Sequence, residues 1–207
     1  MRRERGVRLW CALAVVLATA GLAVPVASGS LLGSVLPSCG GTSYPFKAWA
    51  DSSAYCAFPN LGFESGATAW TLKGSASVAV GNEPWHVSGP GTHALQLGPG
   101  ASALSSPLPV NLLDPYMRFF AHSAGANGSL QVQVLFRGPT GNVTGLLNFG
   151  ALSPSGYATW QPTQRVLSAL ALPLLTSTAQ VQFTSLAKSG SWQLDDVYLD
   201  PRIAKLG

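Results

Sequence analysis

Charge is scarce in this chain. Of 207 residues, 12 are Lys or Arg and 8 are Asp or Glu, with three His. Four of the bases, Arg2, Arg3, Arg5 and Arg8, crowd ahead of an apolar run from Leu9 to Val24. With that leader and its Glu4 set aside, eight basic side chains face seven acidic ones. No Arg-rich cluster or basic stripe remains, which excludes nucleic acid binding, since that takes many phosphate contacts. Catalytic motifs are equally lacking. There is no G-x-S-x-G elbow, H-E-x-x-H, phosphate-binding loop or dinucleotide fingerprint, and no Cys/His spacing suits zinc. A glycosidase pair could be drawn from Glu64, Glu83, Asp114 or Asp195. Glu64 and Asp195 have a structural explanation, given below, so no catalytic residues are assigned and the chain is expected not to be an enzyme.

What is present begins with residues 1–28. A basic start, an apolar run shorter than the ~20 residues of a spanning helix, and small residues at Ala27, Ser28 and Gly29 form the layout of a secretory signal peptide. Cleavage near Ser28 or Gly29 is expected; an uncleaved anchor, helped by "SLLGSVL", is the other reading of these residues. Cleavage implies a secreted, extracellular protein with no membrane segment. Cys39 and Cys56 are then the two remaining cysteines, and in an oxidising compartment they are expected to pair. A loop of that size contributes on the order of 3 kcal/mol when unstrained.

Gly (23) and Pro (15) are spread along the chain and punctuate short elements instead of marking one linker. Strands are predicted at 75–80, 93–97, 101–107, 116–123, 129–137, 143–151, 160–166, 179–186 and 192–200. In "LQVQVLF" and "AQVQFTS" apolar and polar residues alternate, so one face is dry and one wet. Two antiparallel sheets packed face to face satisfy many such strands. Segment 166–179, Leu-rich but carrying Pro173, reads as a helical turn or a packed loop. The chain divides into the leader 1–28, an extended segment 29–58 pinned by Cys39–Cys56, Phe46, Trp49 and Tyr55, a sandwich 59–201 and a tail 202–207.

The last strand, "WQLDDVYLD", carries two acids where alternation should run through. Val197 and Leu199 share a phase with Asp195, whereas Leu194 is out of step. A β-bulge at Asp195-Asp196 restores one inward set of Leu194, Val197 and Leu199. An unpaired charge left near the sandwich would cost several kcal/mol. Water, a basic side chain or a hard cation must compensate it.

The opening "PNLGFESGATAWTLKGSASV", with Asn60, Gly62, Phe63, Glu64, Gly66 and Trp70, together with the closing "DDVYL", resembles the galactose-binding-like jelly rolls shared by many carbohydrate-binding modules. The longer pattern, with "PFKAWADSSAY", "GNEPWHVSG" and "SWQLDDVYLDP", is similar to a group of secreted actinobacterial proteins and implies fold and export. The resemblance implies an all-β jelly-roll sandwich with a structural calcium between first and last strands. Its ligands would be Glu64 and Asp195, with Asp196 as substitute if the bulge runs the other way; solvated or Lys-paired acids are the alternative. Phe63 and Trp70 are read as core.

Sugar binding needs flat aromatic faces and a few polar groups. Trp85 in the "GNEPWHVSGPG" loop is the best candidate, and His86 and Tyr157 could add hydrogen bonds. Each could instead merely cover an open end of the sandwich. Arg118 with Gln131, Gln133, Gln180 and Gln182 could line a polar groove or an ordinary wet face. The expected function is therefore non-catalytic binding of carbohydrate or cell-wall glycan, or else an extracellular structural or protein-interaction role with no sugar site.

Overall fold

The computed structural model describes residues 42–109, 116–167 and 178–200. The leader, Cys39 and so its pairing with Cys56, residues 168–177 and the tail lie outside the described residues.

Fourteen strands are described: β1 (Thr42–Ser43), β2 (Tyr55–Ala57), β3 (Trp70–Lys73), β4 (Ala76–Val80), β5 (His93–Leu97), β6 (Ser102–Ser105), β7 (Leu108–Pro109), β8 (Tyr116–His122), β9 (Leu130–Arg137), β10 (Val143–Leu152), β11 (Gln161–Pro162), β12 (Val166–Leu167), β13 (Thr178–Ser185) and β14 (Trp192–Asp200). They form two antiparallel sheets, a jelly-roll β-sandwich. One sheet runs β1-β2-β14-β5-β4, with β8 on the other edge of β14 and β11 and β12 beyond it. The second runs β10-β9-β13-β6-β3, with β7 also on β13.

Alternation builds the core between them. Leu130, Val132, Val134 and Phe136 of β9 and Val181 and Phe183 of β13 point inward from one sheet; Leu95, Leu97, Met117, Phe119, Trp192 and Leu194 meet them from the other. Phe63 and Trp70 join this core as expected, their rings 5.2 Å apart, with Trp70 stacked on Phe183.

Most strand expectations hold within a residue or two. The strand expected over 160–166 is instead split into β11 and β12. Thr163 is the cause: its hydroxyl accepts the Phe119 N–H, its N–H donates to Phe119 O and its carbonyl accepts Arg118 Nε. A side chain thus takes the place of a backbone acceptor, and Pro162 has no N–H to extend the ladder. The short strands β1, β2, β3 and β7 go beyond the alternation signal, because two to four residues carry too little of it.

The segment before β2 lies over the outer face of the first sheet. Phe46 and Tyr55, both fully buried, pack with Phe120 and Tyr198 in a second apolar cluster, and a 3₁₀ turn at Lys47–Trp49 brings Trp49 onto its edge. An ion-pair cluster around buried Asp51 fastens the segment. The Asp51 carboxylate accepts Arg118 Nη1 at 2.8 Å, Arg165 Nη2 at 2.7 Å and the Tyr55 hydroxyl at 2.6 Å. The Phe46 ring caps the Arg118 guanidinium at 4.1 Å.

Candidate functional site

The acidic pair sits on a bulge. Asp195 pairs with Phe120 and Tyr198 with Arg118, so β14 spends one more residue than β8 over that interval. Asp196 takes the strained position with φ +50, left-handed geometry that Asp tolerates better than most residues. The inward set expected from sequence follows: Leu194 and Val197 are fully buried and Leu199 packs on the same core. The opening and closing segments abut here. Val197 N donates to Leu61 O at 3.2 Å and Phe58 N to Val197 O at 3.1 Å.

Both aspartates are buried, Asp195 at 0% and Asp196 at 1% exposure. Asp195 is partly satisfied, accepting Glu83 N at 3.0 Å and Asp196 N at 2.8 Å. Asp196 is served less well: Ser88 lies against it, yet neither carboxylate oxygen makes a well-formed hydrogen bond. Burial raises the Asp195 carboxyl above the ordinary range, and the adjacent Asp196 charge adds to it. Burial likewise raises Asp196, with Ser88 working against the rise and Glu83 adding to it. Gly62 keeps the space beside them open, since a Cβ there would lie 3.1 Å from Asp196 Oδ1 and 3.5 Å from Asp195 Oδ1.

The third carboxylate brought to this place is Glu83, which is fully buried. Its N–H is given to Asp195, and its own oxygens accept Trp85 N at 2.5 Å and Val87 N at 2.6 Å. The bulge thereby anchors Glu83, and Glu83 folds the loop between β4 and β5 into a fixed turn. Trp85 is carried at the tip. Its indole is 43% exposed, yet it rests on Phe120 at 5.5 Å and meets Trp49 edge-on at 4.9 Å.

The other expected site residues are placed as follows. Glu64 stands on the surface in an ion pair with His93 at 3.0 Å. Burial pulls its carboxyl upward, but hydrogen bonds from the His93 ring and from the N–H groups of His93 and Thr92 outweigh that and hold it below the usual carboxylate range. His86 is exposed beside Trp85, its Nδ1 3.0 Å from Asn82 Nδ2. Tyr157 is half-buried against the core, its ring 5.9 Å from Trp192, and burial raises its phenol. Arg118 and the four glutamines do not share a groove, because Arg118 belongs to β8 and the glutamines to β9 and β13 of the other sheet.

Among the described residues no group of three or more His, Cys, Asp and Glu side chains is arranged to hold a metal ion. The local chemistry still suits a positive partner, because a buried carboxylate without a well-formed hydrogen bond is stabilised by a proton or a hard cation. The loop offers a flat, backed indole. Glu83, Trp49 and Asp51 carry this arrangement without being legible as a set in the sequence, for each gains its role from segments far along the chain.

No protein-family model matches the chain, and no curated protein does. Solved structures similar to it include the enzymatically active domain of tailspike protein 4 from bacteriophage CBA120, with TM-score 0.48 and 14% identity over 69% of this chain and 21% of that one. The chain thus spans about a fifth of that structure's length. It is also similar to the CBM22-1 xylan-binding domain of Paenibacillus barcinonensis Xyn10C, with TM-score 0.46 and 18% identity over 69% of this chain and 93% of that one. A third is the family 11 carbohydrate-binding module of the cellulosomal cellulase Lic26A-Cel5E from Clostridium thermocellum, with TM-score 0.46 and 14% identity over 72% and 96% of the respective chains. The fold assignment rests on the strand pairing described above, not on these likenesses.

Proposed function

We propose that this chain is an exported, non-catalytic module that binds neutral glycan through the Trp85 loop. One observation carries the proposal: a large exposed indole is backed by Phe120 and Trp49 and carried on a loop whose backbone N–H at Trp85 donates to buried Glu83. A free surface tryptophan would give up side-chain entropy on stacking against a sugar; this one has already given it up in folding. His86 beside it supplies an imidazole for hydroxyl groups, whereas Tyr157 is packed on the core and contributes through the core. The basic leader and the expected Cys39–Cys56 disulfide support export.

The test is a printed array of neutral oligosaccharides probed with the full chain and with Trp85→Ala. Binding is expected for the wild type, weakened at least about tenfold in the variant, as for a central aromatic anchor. Equal binding by both would remove Trp85 from the site. No binding by the wild type would leave a structural or protein-interaction domain.

A structural calcium forms part of the proposal. Of the expected ligands, Glu64 is engaged by His93, so Asp195 and Asp196 are the two proposed to hold it, because both are buried, neither Asp196 oxygen makes a well-formed hydrogen bond and Gly62 carries no side chain beside them. Carbonyl groups and water would complete a calcium shell. Bound there, the ion would neutralise the pair and brace the bulge from which Glu83 hangs.

A further inference from the structure

We propose that the recognition surface extends beyond the Trp85 loop: it crosses the outer face of the first sheet to Trp160, with His122 and Gln193 as its polar floor. This rests on the glycan-binding reading above and names where the second sugar unit sits.

The outward residues of β8 set the layout. Met117, Phe119 and Ala121 point into the core, so Arg118, Phe120 and His122 point out. Arg118 is committed to Asp51. Phe120 is covered by Phe46, Trp49 and Trp85. His122, one outward position further, pairs with Gln193 of β14, Nδ1 to Oε1 at 2.9 Å, and its ring lies 5.6 Å from Trp160. Register supports the grouping, since Gln193 is the cross-strand partner of His122 and Asp195 that of Phe120. Trp85 and Trp160 therefore stand over successive outward positions of one strand, roughly 7 Å apart along it. Both rings are partly exposed, and the imidazole and amide beside Trp160 are only half-buried.

The chemistry points to a neutral polyhydroxylated chain. Indole faces stack on the apolar faces of pyranose rings, and an imidazole and an amide can each exchange hydrogen bonds with hydroxyl groups. No uncompensated charge is presented here: Asp195 and Asp196 are buried, and Arg118 and Arg165 are both held by Asp51. An anionic ligand would meet no available cation among these groups. Two separate stacking positions, roughly 7 Å apart along one strand, take two linked units, one at each tryptophan.

The experiment titrates full-length wild type, Trp85→Ala, Trp160→Ala and Gln193→Ala with neutral oligosaccharides of graded length chosen from the array, with thermal melts alongside. Trp160→Ala and Gln193→Ala are each expected to weaken the longer oligosaccharides at least about tenfold. Trp160→Ala should also erase the advantage of a longer oligosaccharide over a single unit. If Trp160→Ala melts far below wild type, Trp160→Leu, which keeps apolar packing on the second apolar cluster without a flat ring, is read in its place with the same expectation. Loss of binding in Trp85→Ala with wild-type affinity at every length in the Trp160 and Gln193 variants would overturn the extended surface and leave the Trp85 reading standing. Absence of binding by the wild type, or no effect of Trp85→Ala, would overturn both.

Discussion

Asp196 concentrates the tension in this molecule at a single residue. It combines left-handed backbone, near-complete burial and a carboxylate without a well-formed hydrogen bond. Without a cation the charged form is disfavoured, and with one it becomes a ligand, so neutralising the side chain has opposite effects in the two conditions. Asp196→Asn is expected to melt above wild type in chelator and below it in millimolar calcium. A shift of about 3 °C either way corresponds to roughly 1 kcal/mol in a domain of this size. Thermal melts in both buffers measure it. A variant that melts lower in both would show that Asp196 is satisfied by protein groups and holds no ion.

The loop between β4 and β5 is an element whose conformation depends on one side chain. Glu83 accepts two loop N–H groups with its two oxygens and gives its own N–H to the bulge. Glu83→Gln keeps the size but turns one acceptor into a donor facing an N–H, so one of the bonds to Trp85 or Val87 must break. Such a loss costs about 1–3 kcal/mol when the stranded group is buried. Faster hydrogen exchange at Trp85 and Val87, with the exchange of β9 and β13 unchanged, is the expected outcome. Unchanged exchange in the loop would mean that packing of Trp85 on Phe120 and Trp49 alone defines it. The same variant should weaken glycan binding less than Trp85→Ala does, because the indole is still present but no longer preorganised.

At the scale of the whole molecule, stability depends on how the segment before β2 is fastened to the sandwich. Burial by itself would raise the Asp51 carboxyl, but hydrogen bonds from Arg165, Tyr55 and Ser53 hold it far below the usual carboxylate range. A depressed folded-state value gives stability that is present above the unfolded-state value near pH 4 and lost as the pH falls below it. Wild type should therefore lose melting temperature on acidification below about pH 4. Asp51→Ala should be less stable at neutral pH, by about 3 kcal/mol for the stranded Arg118, and should have a flatter acid limb. Denaturant titrations at pH 7 and pH 3.5 test both. An identical acid loss in the variant would place the sensitivity elsewhere.

Much of this was legible before any coordinates. Apolar and polar alternation in β9 and β13 settled which side chains enter the core, because a period of two leaves a half-buried strand no other choice. The conflict between Leu194 and Val197 settled the bulge, since both must be dry and only an inserted residue allows it. Tertiary structure decided the rest: that Glu83, 112 residues before Asp195, closes against it, that Glu64 goes to His93, and that Trp49 and Trp160 stand on the same sheet face as Trp85. Local pattern reports only whether a residue is buried. Which distant groups share that burial depends on strand order and register, fixed when the two sheets pack and the early segment is locked down by Asp51.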